Sequence, residues 1–189
     1  MSTATTSAAP AAVTFPASTW AVDPIHSSIG FEVRHFGIST FRGRFTGYEG
    51  TIVTGDGTIE QVEGRVRVDS VDVRDEQLAA HLQSPDFLDA ESHPEIAFAS
   101  TGVRELGDGR FELAGELTIR GVTRPVTLDV TADGAGPDPY GGERISLAGS
   151  GAIDRFEYGV PFDARTPTGA LVAGERVRLV LSVEAVREA

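Results

Sequence analysis

The sequence predicts an all-β protein with one or two short helices, folded as an extended eight-stranded antiparallel lipocalin-like β-barrel. Apolar and polar residues alternate with period two over most of the chain. The alternating runs are separated by tight-turn chemistry such as Gly55-Asp56-Gly57 and Gly107-Asp108-Gly109. Only one short stretch, between two such runs, keeps helical spacing. About eight runs is the strand number of a small closed barrel, and closure removes exposed sheet edges. A two-sheet sandwich with a similar number of strands is the architectural rival.

The first nineteen residues, MSTATTSAAPAAVTFPAST, are small, polar and proline-containing. They are expected to form a disordered tail, leaving residues 20–189 as a single barrel domain. They show neither a basic start nor a continuous apolar core of the export type, so a cytoplasmic location is expected.

From Trp20 the runs follow one another. Ile29, Phe31, Val33 and His35 share one phase of the first run, against Gly30, Glu32, Arg34 and Phe36 on the other. Across the Gly37-Ile38-Ser39 connection, Phe41, Gly43, Phe45 and Gly47 share a phase, so glycines alternate with large rings. Val62, Gly64, Val66 and Val68 alternate with charged residues in a further strand. Between Asp75 and Leu82 the period changes: Leu78, His81 and Leu82 fall on one helical face, and Asp75 can cap the following amides. Ile96 and Phe98 then mark one face of an extended stretch, followed by Phe111, Leu113, Gly115, Leu117 and Ile119. A turn at Gly121-Val122-Thr123 leads to Val126, Leu128 and Val130, and residues 133–142 read as loop. Ile145, Leu147, Gly149, Gly151 and Ile153 form the next run, residues 155–174 are irregular, and Val177, Leu179, Leu181, Val183 and Ala185 close the chain.

Composition narrows the function classes. The 189 residues are 40% apolar and 23% charged, with a formal net charge of −12 and 16 basic residues, all arginine. Such a surface repels nucleic acid and anionic headgroups at long range. No apolar run approaches the roughly 18 residues of a membrane helix, so no transmembrane segment is expected. Without cysteine, disulfides and thiolate chemistry are excluded. His26, His35, His81 and His93 are dispersed without metal-ligand spacing, so no metal site is expected. No nucleophile elbow is present, since Ser150 between two glycines lies inside a strand pattern. No catalytic residue is therefore assigned.

Separated motifs occur in a specific order: Trp20-x-Val22-Asp23-x-x-His26-Ser27, Phe31-x-Val33-x-His35, Ser70-Val71-Asp72, Arg74-Asp75, His81-Leu82, Asp86-Phe87, Pro94 and Phe98-x-Ser100-Thr101. They continue with Gly115-x-Leu117-Thr118-Ile119-x-Gly121-Val122-Thr123-x-Pro125-Val126 and Arg155-x-x-x-Gly159. From Trp20 to Val186 the chain resembles the YceI-like family. The resemblance implies a lipocalin-like barrel, often homodimeric, holding a polyisoprenoid or other long-chain, fatty-acid-like lipid in its lumen. It implies no other cofactor. Many members of that family are exported, whereas this sequence shows no recognisable signal.

The residues themselves leave two readings of the glycines at 43, 47, 64, 115, 149 and 151: open lumen volume, or barrel bending and close packing. The resemblance favours a cavity. The candidate ligand contacts are then Phe31, Val33, His35, Phe41, Phe45, Phe98, Leu117, Leu128, Leu147, Leu179 and Leu181. His35 reads equally as a hydrogen bonder at the pocket mouth or as a structural histidine. Arg34, Arg42, Arg44, Arg120, Arg124 and Arg155 would hold a diphosphate only if two or three converged. Three classes remain: a lipid carrier or store, a barrel enzyme or haem protein using a lumen histidine, and a structural or interaction protein with a filled core.

Overall fold

A computed structural model describes residues 15–188. Strands β1 (Ser18–Val22), β2 (Ser28–His35), β3 (Ser39–Phe45), β4 (Tyr48–Thr54), β5 (Ile59–Arg67) and the two-residue β6 (Val71–Asp72) precede helix α1 (Glu76–Gln83). Then come β7 (Glu95–Gly107), β8 (Arg110–Ile119), β9 (Val122–Pro137), β10 (Glu143–Asp154) and β11 (Ala173–Arg187). Short 3-10 turns occupy Val68–Ser70 and Arg155–Tyr158.

Eight strands close a ring in the order β1-β4-β5-β7-β8-β9-β10-β11, with β11 returning to β1. The barrel is thus the closed antiparallel one that the alternation predicts, not a sandwich. Beyond the ring, β11 also pairs with β2, and β2 continues through β3 to β6. That extension lengthens one side of the barrel at the end where α1 sits.

Local chemistry accounts for the connections. The β7–β8 hairpin turns on Asp108 (φ 54°) and Gly109 (φ 69°), and the β8–β9 hairpin on Arg120 (φ 51°) and Gly121 (φ 72°). Two successive positive-φ residues match the twist of the flanking strands. The second turn thus lies one residue earlier than its sequence reading. Asp75 caps α1 by accepting the Leu78 amide at 2.8 Å, as expected.

The inward phases are also those expected. A tightly buried apolar cluster closes one end of the barrel: Phe15, Trp20, Ile52, Phe111 and Ile145 are at most 2% exposed. Here the structure corrects the boundary at residue 20. Residues 1–14 of the expected tail lie outside the described residues, but Phe15 packs on Phe111 with ring centroids 6.2 Å apart, and Ser18 and Thr19 belong to β1. Trp20 Nε1 donates to Thr54 Oγ1 at 2.8 Å, and that hydroxyl donates to the Pro16 carbonyl at 2.6 Å. Composition concealed this because one aromatic among small residues shows no period. Phe15→Ala should lower the unfolding free energy by about 3 kcal/mol in denaturant titration, the usual loss for a buried aromatic. A loss under about 0.5 kcal/mol would return residues 15–19 to a dispensable tail.

Candidate functional site

Below the sealed end, the lumen holds two adjoining cavities. The upper, of about 200 Å³, is bounded by Phe31, Phe45, Phe98, Leu117, Leu128, Leu147, Leu179 and Leu181, with Val22, Ile52, Val62 and Leu113 among its other walls. The lower, of about 250 Å³, lies towards α1 and is bounded by Val33, His35, Phe41, Leu78, His81, Phe87, Arg155, Tyr158 and Phe162. Phe31, Phe45, Ile96, Ile119 and Leu179 border both. All eleven side chains singled out from the sequence therefore line one cavity or the other.

The glycines divide between the two readings given above. A Cβ on Gly43 would sit 2.4 Å from the Phe31 ring, and one on Gly115 2.4 Å from the Phe98 ring. These rings lie over the glycine backbone, so the aromatics hug the wall and the volume vacated by the missing side chain is filled. Leu128 covers Gly151 in the same way, and Gly47 faces Arg67 outside the lumen. Gly64 and Gly149 do border the upper cavity.

Polar groups are distributed unevenly. Tyr48 borders the upper cavity, but its hydroxyl is engaged by the Ser27 carbonyl at 2.5 Å. Glu49, Glu63 and Arg65 also border it, yet they alternate with the inward Tyr48, Gly50, Gly64 and Val66 along β4 and β5. In the lower cavity the His35 ring lies tilted against Phe36, with centroids 3.7 Å apart, and His81 Nε2 lies 3.2 Å from Asp86 Oδ2. Phe87 and Phe162 stack at 4.5 Å, and His81 meets both edge-on. This cluster and Val160, Val172 and Ala173 come from the helical excursion and the irregular segment 155–174, where no periodicity marks an inward face.

The six arginines do not pool on one site. Arg42 pairs with Glu32 and Arg44 with Asp72, while Arg34, Arg120 and Arg124 donate to the carbonyls of Gly37, Phe87 and Glu157. Arg155 alone among them is buried.

A YceI-like domain model matches residues 20–185. The chain belongs to the YceI-like family. A UPF0312 protein of Vibrio parahaemolyticus is 36% identical over 138 residues, covering 72% of this chain and 73% of that protein. The crystal structure of Campylobacter jejuni YceI superposes with a TM-score of 0.73 at 24% identity, covering 82% of this chain and 90% of that one. A polyisoprenoid-binding domain from Saccharophagus degradans, implicated in plant cell wall breakdown, superposes with a TM-score of 0.68 at 11% identity, covering 91% of this chain and 99% of the domain.

The first motif of this YceI-like chain has a structural use of its own. Asp23 accepts from Arg144 Nη1 at 2.7 Å and from the Ile25 amide at 2.9 Å, and His26 Nδ1 lies 2.8 Å away. Arg144 also reaches Glu184 at 2.5 Å and Asp138 at 3.2 Å, tying the β1–β2 and β9–β10 connections to β11. Asp23, His26 and Glu184 bring potential metal ligands within 4.8 Å of one another. Arg144 already meets the same carboxylates, so a metal ion there would compete with the guanidinium.

The Arg144 guanidinium, then His26, hold the Asp23 carboxyl well below the usual carboxylate range, against a smaller opposing effect of burial. Because the folded-state pKa is depressed, this stabilisation is present above the unfolded value of about 3.9 and is lost as pH falls. The thermal midpoint of the protein should thus drop as pH is lowered below about 4. Asp23→Asn should start lower at pH 7 and lose less on acidification; parallel midpoint curves for the two proteins would show that Asp23 carries no such linkage.

Proposed function

We propose that this protein is a non-catalytic carrier or store for a long-chain lipid held in the barrel lumen, a polyisoprenoid such as an isoprenoid quinone or polyprenyl derivative. The observation that carries this reading is the two adjoining apolar cavities, bordered by Phe31, Phe45 and Leu179 in common and sealed at the Trp20 end. Among the described residues no unsatisfied polar side chain faces the upper chamber, so a hydrocarbon chain loses nothing there by leaving water. Each buried methylene contributes ~0.8 kcal/mol, and ten give ~8 kcal/mol gross, near micromolar affinity before ordering costs. The structural likeness to a polyisoprenoid-binding domain supports the same class of ligand.

The alternative of a haem protein or barrel enzyme would draw on His35 or His81, which border the lower cavity. A Soret band in the absorbance of the purified protein would favour it. Mass spectrometry of lipid extracted from protein purified without detergent should instead find a long-chain species.

Gly64→Leu tests the lumen directly. A Cβ at this position meets only the Glu49 carbonyl oxygen at 3.6 Å, an ordinary contact, so the added side chain enters the upper cavity without straining the wall. The variant should fold as well as the parent and bind lipid at least about tenfold more weakly, equivalent to excluding about two methylenes. An unchanged lipid content in a folded Gly64→Leu protein would place the ligand elsewhere.

A further inference from the structure

Arg155 combines two properties that its role in the fold leaves unexplained. It is 5% exposed, and among the described residues no carboxylate lies within ion-pair distance of its guanidinium. It is held instead by backbone carbonyls: Nε donates to Gly174 at 2.9 Å, Nη2 to Ala173 at 2.8 Å and Nη1 to Val160 at 3.3 Å. These bonds use three of the five N–H groups of a guanidinium. The side chain also stacks on Phe156, its central carbon 4.1 Å from the ring centroid. Burial pulls its pKa down, and Asp154, Asp163 and Glu175 oppose this only through space. A buried cation without a counter-ion is an expensive arrangement in a protein interior.

The cation borders the lower cavity, next to Tyr158. Tyr158 is 1% exposed, and its hydroxyl has no hydrogen-bond partner among the described residues. The charged groups that act on this hydroxyl are Glu157 and Arg124, not Arg155. Tyr158 borders the lower cavity and an outer groove that also contains Asp154 and Arg176. Among the described residues, the only polar side chain facing the upper cavity, Tyr48, is already satisfied.

We propose that the lower cavity is the receptor for the anionic head of the bound amphiphile, a phosphate or carboxylate held by the two uncommitted N–H groups of Arg155, while the tail fills the upper cavity. The assignment rests on the lipid-binding reading above and adds the charge of the head and the direction of the chain. Charge-assisted bonds from a guanidinium to such a head are roughly twice as strong as neutral ones. An alcohol or a quinone offers an acceptor without charge and so gains no bond between opposite charges.

The experiment compares matched pairs on delipidated wild-type protein at pH 7, by displacement of a neutral fluorescent probe from the lumen: geranylgeranyl phosphate against geranylgeraniol, and oleate against oleyl alcohol. The expected result is that at least one anion displaces the probe about tenfold more tightly than its alcohol. The pair that shows the preference identifies the head as phosphate or carboxylate. Inorganic phosphate alone should leave the probe bound, because it brings no tail. Arg155→Lys, which keeps the charge but not the fork, should reduce the preference several-fold. The wild-type comparison decides the matter even if the Arg155 variant does not fold. Equal affinity within both pairs, or tighter binding of the alcohols, overturns the assignment and leaves lipid carriage standing. Failure of all four amphiphiles to displace the probe overturns both.

Discussion

The barrel depends on β11 serving two neighbours along one edge. Residues Val177–Ser182 of β11 pair with β2, and Ala185–Arg187 pair with β1. Between these blocks the ladder would leave the amide and carbonyl of Glu184 without a strand opposite, at a typical penalty of about 1–3 kcal/mol per buried unsatisfied group. Ser27 substitutes for the missing strand: its hydroxyl accepts from the Glu184 amide at 2.9 Å and donates to the Glu184 carbonyl at 3.1 Å. The Asp23 amide adds a second bond to that carbonyl at 2.8 Å. With this switch in place, β1 closes the sealed end while β2 and β3 extend the other end. The lower cavity exists because that extension carries Val33, His35 and Phe41 past the ring of eight strands.

Breadth of the lumen follows from a second constraint, the flat placement of its rings. Phe31 lies directly across from Gly43 in the β2–β3 register, and Gly64 lies across from Phe98 in the β5–β7 register. A side chain at Gly43 or Gly115 would push these rings towards the barrel axis, where they would fill the space with protein. Glycine weakens a strand by entropy and by the lack of a packing side chain. Here the overlying ring restores much of the lost contact, as aromatic residues do for glycines elsewhere in sheets. The aromatic content of the wall and the openness of the lumen are therefore one feature.

What the sequence made legible and what it hid divide along periodicity. The large apolar cavity residues on β2, β3, β7, β8, β9, β10 and β11 were readable because one buried face forces alternation, and a slip of one residue would have turned Phe31 and Val33 to solvent. The helix start was readable from Asp75, whose carboxylate has a local job. Phe15 was not, since its ring partner Phe111 lies far along the chain. The closing cluster of Phe87 and Phe162 was equally hidden: its two members come from irregular segments whose backbone follows the barrel rim rather than a regular period. Arg155 stood in the sequence as one of several arginines, and its burial depends on carbonyls at Ala173 and Gly174 that its neighbours do not announce.

The charges of the chain show the same division between outer and inner wall. Arg42 and Glu32 are opposite each other on β2 and β3, and Arg104 and Glu112 on β7 and β8, as opposite-charge cross-strand pairs on the solvent face. Such exposed pairs are each worth at most about 1 kcal/mol and are weakened by salt. With net charge −12, the outer surface gives an anionic amphiphile no favourable resting place. Arg155 sits at the boundary of the lower cavity, where water screens it little. On the proposed reading, an acidic exterior around one buried cation would bias an anionic chain against adhering to the outside and in favour of the lumen, which a uniformly basic protein of the same fold would not do.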